Sequence, residues 1–414
     1  MSRAGLTAAA LVFGAAGPTF AQPDLFSEEA VSARVELRAA AADGERAWLR
    51  GGFGKGRFGG EGGDWRLDGE IADATLEWRP VFGGSFSGLI DVQLQSDQDD
   101  PFGVNEAYLQ SKPLFPGPVR IAARAGLFYP PVSLEHDGPS WTTTRTITPS
   151  ALNSWIGEEV KVGGLEVAVR GAAAGHELGL TLAGFGFNDT SGTLLSFRGW
   201  SLGDVRATAS GDFALPPLSP FMTPRQRPRT TPVLELDDRT GYYVRAEWRP
   251  PARVAFDALH YDNRGDRISV EDVEWAWETR FTNLGMVWRP SDDVEVLAQA
   301  MWGETWMGFP FPAGVWVDVE FEAAYLLVSR RLGASALTGR IDVFSTDDKA
   351  SPLYGDNSED GWAATLAWRR TLNPTTEVLL EALRIDSERP GRALAGVAPH
   401  QVQHLVQASA RFSF

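Results

Sequence analysis

The chain has 414 residues, 54 acidic against 38 basic side chains for a formal charge of −16, 44 glycines, 15 tryptophans and no cysteine. At 43% apolar and 22% charged it is too hydrophobic for a disordered polyelectrolyte. The acidic excess excludes a general nucleic-acid binder, because phosphate neutralisation needs a surplus of Lys and Arg, and the lack of cysteine excludes disulfides, thiolate metal sites and Cys nucleophiles.

From the N-terminus, Arg3 is followed by the apolar, small-residue stretch Ala4 to Ala16 and then by Thr19-Phe20-Ala21, which fits a secretory signal peptide over 1–21. Residues 22–44 are a periplasmic extension or, since 31–40 alternates apolar with polar, an extra strand. Beyond them no apolar run reaches the ~18 residues of a spanning helix, and no helical period is sustained over several turns.

Strand periodicity takes its place. Phe86, Gly88, Ile90, Val92 and Leu94 alternate with Ser87, Leu89, Asp91 and Gln93, and Leu337, Ile341 and Val343 oppose Thr338, Arg340 and Asp342. In 317–329, Val317, Val319, Phe321, Ala323, Tyr325 and Leu327 form the apolar face, opposite Asp318, Glu320 and Glu322. Short turn signals join 68–79 to 82–95, 104–112 to 119–128, 160–170 to 176–187 and 240–249 to 252–262. Three more join 277–289 to 293–304, 316–331 to 334–345 and 361–370 to 375–386. With a first strand at 45–54 and a last at 402–414, the count is about sixteen (roughly 14–18), and an even number closes without an edge.

Alternation alone fits a soluble sandwich as well as a membrane barrel. The tryptophans separate the two. Trp78, Trp248, Trp288 and Trp368 each lie on the apolar parity at a strand end and are each followed by Arg, which is what an aromatic girdle at a membrane interface requires. The expected fold is therefore all-β: a closed antiparallel transmembrane β-barrel over 45–414, with short periplasmic turns and long external loops. The longest loops are 129–159 and 188–239, and the second has room for one more hairpin. If the apolar parity meets lipid, the polar parity lines the lumen, and Asp91, Glu106, Lys112, Arg120, Arg124, Arg245, Glu320 and Arg340 are the candidate pore-lining residues. Inward pairs such as Arg120 with Glu106 could equally brace the wall.

Several residues resemble a known family. Phe414, with apolar residues at alternate positions back to Val402, is similar to the C-terminal strand that the outer-membrane assembly machinery of Gram-negative bacteria recognises. Asn105-Glu106-Ala107-Tyr108-Leu109, then Arg124 to Pro131, Glu135, and Gly163-Gly164-Leu165-Glu166 resemble the phosphate-selective porin group in order and spacing. The match departs at Gly126-Leu127-Phe128-Tyr129, where that group has Gly-Gln-Phe-Lys, and only Lys55, Lys112, Lys161 and Lys349 are lysines here, so phosphate selectivity is not carried over. The resemblance implies that loop 129–159, with Glu135, Asp137 and Arg145, folds into the barrel as a constriction facing the Arg120 and Arg124 wall. It also implies a homotrimer.

Together these features lead to the expectation of a porin in the bacterial outer membrane, passing small polar solutes or ions by passive diffusion. The expected partners are membrane lipid, lipopolysaccharide and the assembly machinery, with no cofactor, no bound metal and no enzymatic turnover. A plugged structural or adhesive barrel is the alternative. An outer-membrane lipid hydrolase, hinted at by His260-Tyr261-Asp262-Asn263, is weaker because no nucleophile is paired with the His in the sequence.

Overall fold

The computed structural model describes Leu25, Ser27 and residues 29–60, 64–96, 98–114 and 117–414. The expected signal peptide, 1–21, lies outside the described residues. The main strands are β1 (Val31–Ala42), β2 (Arg66–Trp78), β3 (Phe86–Leu94), β4 (Phe102–Ser111), β5 (Val119–Phe128), β6 (Val162–Ala173), β7 (His176–Gly186) and β8 (Gly241–Arg249). They continue as β9 (Val254–Asp262), β10 (Glu278–Trp288), β11 (Val294–Met307), β12 (Val317–Leu332), β13 (Ser335–Asp348), β14 (Glu359–Asn373), β15 (Thr376–Glu388) and β16 (His400–Ser413). The principal sheet has 17 strand segments; one is the two-residue Val81–Phe82 that folds back on β3, which leaves sixteen in the wall.

Every neighbouring pair is antiparallel, and β1 pairs with both β2 and β16, so the sheet closes. The first strand is not 45–54. That segment carries only a short 3-10 turn, Trp48–Arg50, and its glycines let the chain fold tightly onto itself: a Cβ on Gly52 or Gly54 would lie 2.1 or 2.6 Å from the Arg46 carbonyl oxygen. Val31–Ala42 supplies the closing strand instead.

Alternate side chains face outward, and in the lower wall they are apolar. Ile90, Leu109, Leu180, Leu326, Leu366 and Val406 are 41–56% exposed on the outside of the barrel, a surface that suits hydrocarbon and not water. The wall is uneven in height. β3 and β8 have 9 residues each, whereas β12 has 16 and β14 has 15. A tilted strand needs only about 9–11 residues to span, so the tall strands stand clear of the hydrocarbon at one end.

That extra height reverses one expectation. On β12 the buried face is Val317, Val319, Phe321, Ala323, Tyr325 and Leu327, all at 5% exposure or less, while Glu320 and Glu322 are exposed on the same outer parity as Leu326 and Val328. The outer face is apolar where lipid would lie and acidic above it. Glu320 is therefore not a lumen residue, because its height removes the desolvation cost that would have forced it inward.

One end of the barrel carries the tight turns, and the other carries long loops that fold into it. Loop 129–161 contains α1 (Ala151–Glu159), loop 187–240 contains α2 (Thr193–Arg198), and every residue of both helices is buried. The room for a further hairpin in 188–239 is taken by a two-residue pairing, Phe213–Ala214 with Arg229–Thr230, separate from the wall. Trp155 of α1 packs edge-on against Phe281 and Phe321 of the wall with ring centroids 5.4 and 5.2 Å apart, and Trp200 joins them at 5.9 Å. Much of the lumen is thus a packed core.

Candidate functional site

A loop buried inside a barrel must find partners for its backbone N–H groups, and wall carboxylates provide them. Glu381 of β15 accepts from the amides of Ile147 (2.6 Å) and Thr148 (3.1 Å), and Asp342 of β13 accepts from Ala151 at the start of α1 (3.1 Å). Ser150, the N-cap of that helix, accepts from Asn153 N (3.3 Å). Glu159, at the other end of α1, accepts from Leu194 N at the start of α2 (2.7 Å), so one inserted helix caps the next.

Arg340 of β13 is the hub of this arrangement. It is 2% exposed and donates to Asp342 (2.8 Å), Glu135 (3.0 Å) and the carbonyls of Thr148 (2.7 Å) and Pro149 (2.9 Å). Arg145 bonds Glu295 of β11 (2.6 Å) and pairs with Asp137 (2.9 Å). Loop 129–161 enters the barrel, but the charged residues expected at its constriction turn to β11 and β13, Arg145 to Glu295 and Glu135 to Arg340, and not to Arg120 or Arg124. The loop carries its own basic partner at 145, and the far wall supplies the complementary charges.

The other predicted lumen residues divide by height. Asp91 (0% exposed) and Glu106 face inward and are covered: Asp91 accepts from Asn105 (2.7 Å) and Ser140 Oγ (3.1 Å), and Glu106 accepts from Tyr129 N (3.2 Å). Arg124 pairs with Glu166 of β6 (2.9 Å) and stacks over the Phe128 ring (4.1 Å). Arg245 lies between Glu247 (3.2 Å) and Asp257 (3.7 Å). Arg120 faces inward near the tight-turn end and is exposed. Lys112 does not line the wall: it lies one residue past β4, exposed in the turn. Trp248 and Trp288 are 44% and 46% exposed on the outer face, as a girdle requires, and the Trp78 indole donates to the Leu25 carbonyl (2.7 Å). Trp368 lies outward beside Ala367, which is buried. Phe414 closes the seam, exchanging backbone bonds with Ala33 (2.9 and 3.1 Å).

A cluster not foreseen from the sequence fills the seam side of the lumen. Glu36 receives Arg34 (2.7 Å) and Arg411 (2.8 Å), Arg38 bridges Glu36 and Asp204, and Arg206 reaches Asp73. Asp204 and Arg206 come from loop 187–240, so their partners are set by tertiary contact. Two of the four lysines are also buried in inserted segments. Burial pushes Lys55 down to about 7 against the pull of Glu359, and pushes Lys161, over the Tyr129 ring, down to about 7. Burial likewise raises Glu158 to about 7, opposed by Arg198.

No family model matches the chain, and no curated protein matches it. Solved structures do. The outer-membrane channel DcaP of Acinetobacter baumannii aligns with a TM-score of 0.54 at 12% identity, covering 94% of this chain and 99% of that one. The fold is porin-like. An anion-selective porin from Comamonas acidovorans aligns with a TM-score of 0.52 at 11% identity over 93% of this chain and 98% of that one. A loop-deletion mutant of the outer-membrane protein OmpT of Vibrio cholerae aligns with a TM-score of 0.52 at 10% identity over 93% and 99%. At these identities the likeness is one of architecture, a sixteen-strand antiparallel barrel.

Proposed function

We propose that the protein is an outer-membrane porin passing small hydrophilic solutes or ions passively. The observation that carries this is the closed barrel with an apolar outer belt and an inner parity bearing charges of both signs, the pattern of a wet path through lipid. The path is narrow, because three segments, 43–60, 129–161 and 187–240, occupy the lumen. It follows the polar side near Arg120, Arg124 and Glu166. Glu135, Asp137 and Arg145 anchor the constricting loop and do not themselves discriminate solutes. The order of Glu106, Arg124, Glu135 and Glu166 supports kinship with the phosphate-selective porin group, without its specificity.

One observation favours a second reading, a plugged barrel without transport: the dry aromatic contact of α1 with β10 and β12. Planar-bilayer recording of the detergent-folded chain separates the two. The porin reading expects stepwise current increments, smaller than those of an open barrel of the same strand number; a folded preparation that gives no steps retires it in favour of the plug. The low wall, with Phe102 and Leu109 exposed on its outer side, supports a homotrimer, for which light scattering in detergent is the test.

A further inference from the structure

The tight-turn end of the lumen holds a recess of about 410 Å³ between β5, β6, β7 and β8. Its polar lining is Arg120, Arg170, Arg249, Glu177 and Glu247, and small residues, Ala122, Ala168 and Gly179, leave the space open. The register places Arg120 directly opposite Arg170 on adjacent strands. Like charges facing across a sheet repel, so the pair is unfavourable unless negative charge sits between them.

The protein does not supply enough of it. Glu247 lies 3.1 Å from Arg170, 3.2 Å from Arg245 and 3.9 Å from Arg249, so one carboxylate serves three guanidinium groups. Glu177 reaches Arg249 at 3.7 Å, and Arg245 has Asp257 at 3.7 Å. Among the described residues, none makes an ion pair with Arg120. Elsewhere in the lumen the arginines are answered: Arg124 by Glu166, Arg340 by Glu135 and Asp342, and Arg411 by Glu36.

We infer that this recess is a subsite for a small organic carboxylate, whose head group sits between Arg120 and Arg170 at the tight-turn mouth of the channel. A guanidinium fork matches a carboxylate in two parallel hydrogen bonds, and the volume falls in the range of small-molecule pockets, about 300–1,000 Å³. Pro113, Pro118 and Ala172 line it beside the charges and would meet the carbon body of such a ligand. The assignment names a solute class for the channel proposed above and rests on that reading for its transport meaning.

Succinate, with uncharged succinamide as control, tests it by calorimetric titration into the full-length protein folded in detergent at low salt. Saturable succinate binding at one site per chain is expected, with none for succinamide. Arg120→Gln should weaken it at least tenfold, and Ala168→Leu, which fills the recess and leaves the charges, should weaken it comparably. Absence of saturable binding, or binding that Arg120→Gln leaves unchanged, overturns the subsite. Bilayer recording of the same preparation is scored separately: current steps without succinate binding keep the porin and discard the subsite, and binding without current steps does the reverse.

Discussion

A buried arginine is valuable only while its carboxylates are in place, and Arg340 holds two of them together with two loop carbonyls. Arg340→Ala would leave Glu135 and Asp342 facing one another without a cation, a loss on the order of 3–5 kcal/mol. The expected result is a lower urea midpoint for the detergent-folded barrel with an unchanged slope. Ion preference should answer to different residues. Replacing Arg120 and Arg124 together by Ala removes two positive charges from the lumen-facing side of β5 and should move the reversal potential in a salt gradient toward cations. Glu320→Gln, on the outer face, should leave it where it was. If Glu320→Gln moved the potential as far as the double arginine variant, β12 would have to turn its acidic row toward the lumen.

At the scale of elements, the inserted loops carry their own pH sensitivity. Asp189, in loop 187–240, is 2% exposed; burial raises its carboxyl to about 7, helped by Asp237 and Glu235 and opposed by the amides of Leu236 and Asp237 that it accepts. A carboxyl raised on folding binds a proton more tightly folded than unfolded, so its contribution is full below its ordinary value near 3.8 and is lost as pH rises to about 7. Loop 187–240 should therefore be better protected in hydrogen exchange at pH ~5 than at pH ~8, after correction for intrinsic rates. Asp189→Asn keeps an oxygen to accept those two amides and removes the charge. The variant at the higher pH should match the parent protein at the lower one, and an unchanged pH response would assign the effect to another group.

For the molecule as a whole, closure is the decisive property, since an open sheet of this length would expose two edges within lipid. The seam pairs Ala39 of β1 with Ala408 of β16, and the chain has no cysteine to interfere. Ala39→Cys with Ala408→Cys should give an intramolecular disulfide in the folded barrel, read as complete protection from a thiol-blocking reagent until reduction. Failure to cross-link in a folded preparation would mean that another segment closes the wall. Phe414 ends that seam, with two backbone bonds to Ala33.

Local chemistry determined much of this in advance. The seven hairpins, the last strand and the outward tryptophans follow from a two-residue period broken by turn formers, and every wall strand except the first lies within a few residues of the one expected. Period two tells that a strand has two unlike faces; it does not tell which medium each face meets. On β5 and β13, charge inside and grease outside agree with the simple rule, whereas on β12 the apolar row packs against α1 and the acidic row stands above the lipid. The resemblance implied that loop 129–159 enters the barrel, but what anchors it there was hidden, because the anchoring rests on contacts such as Thr148 with Glu381, 233 residues apart in the chain. Sequence alone determined that a barrel forms and roughly where its strands run. Only the tertiary structure decided that its lumen is largely filled, since loop insertion depends on wall carboxylates finding backbone donors that no local pattern announces.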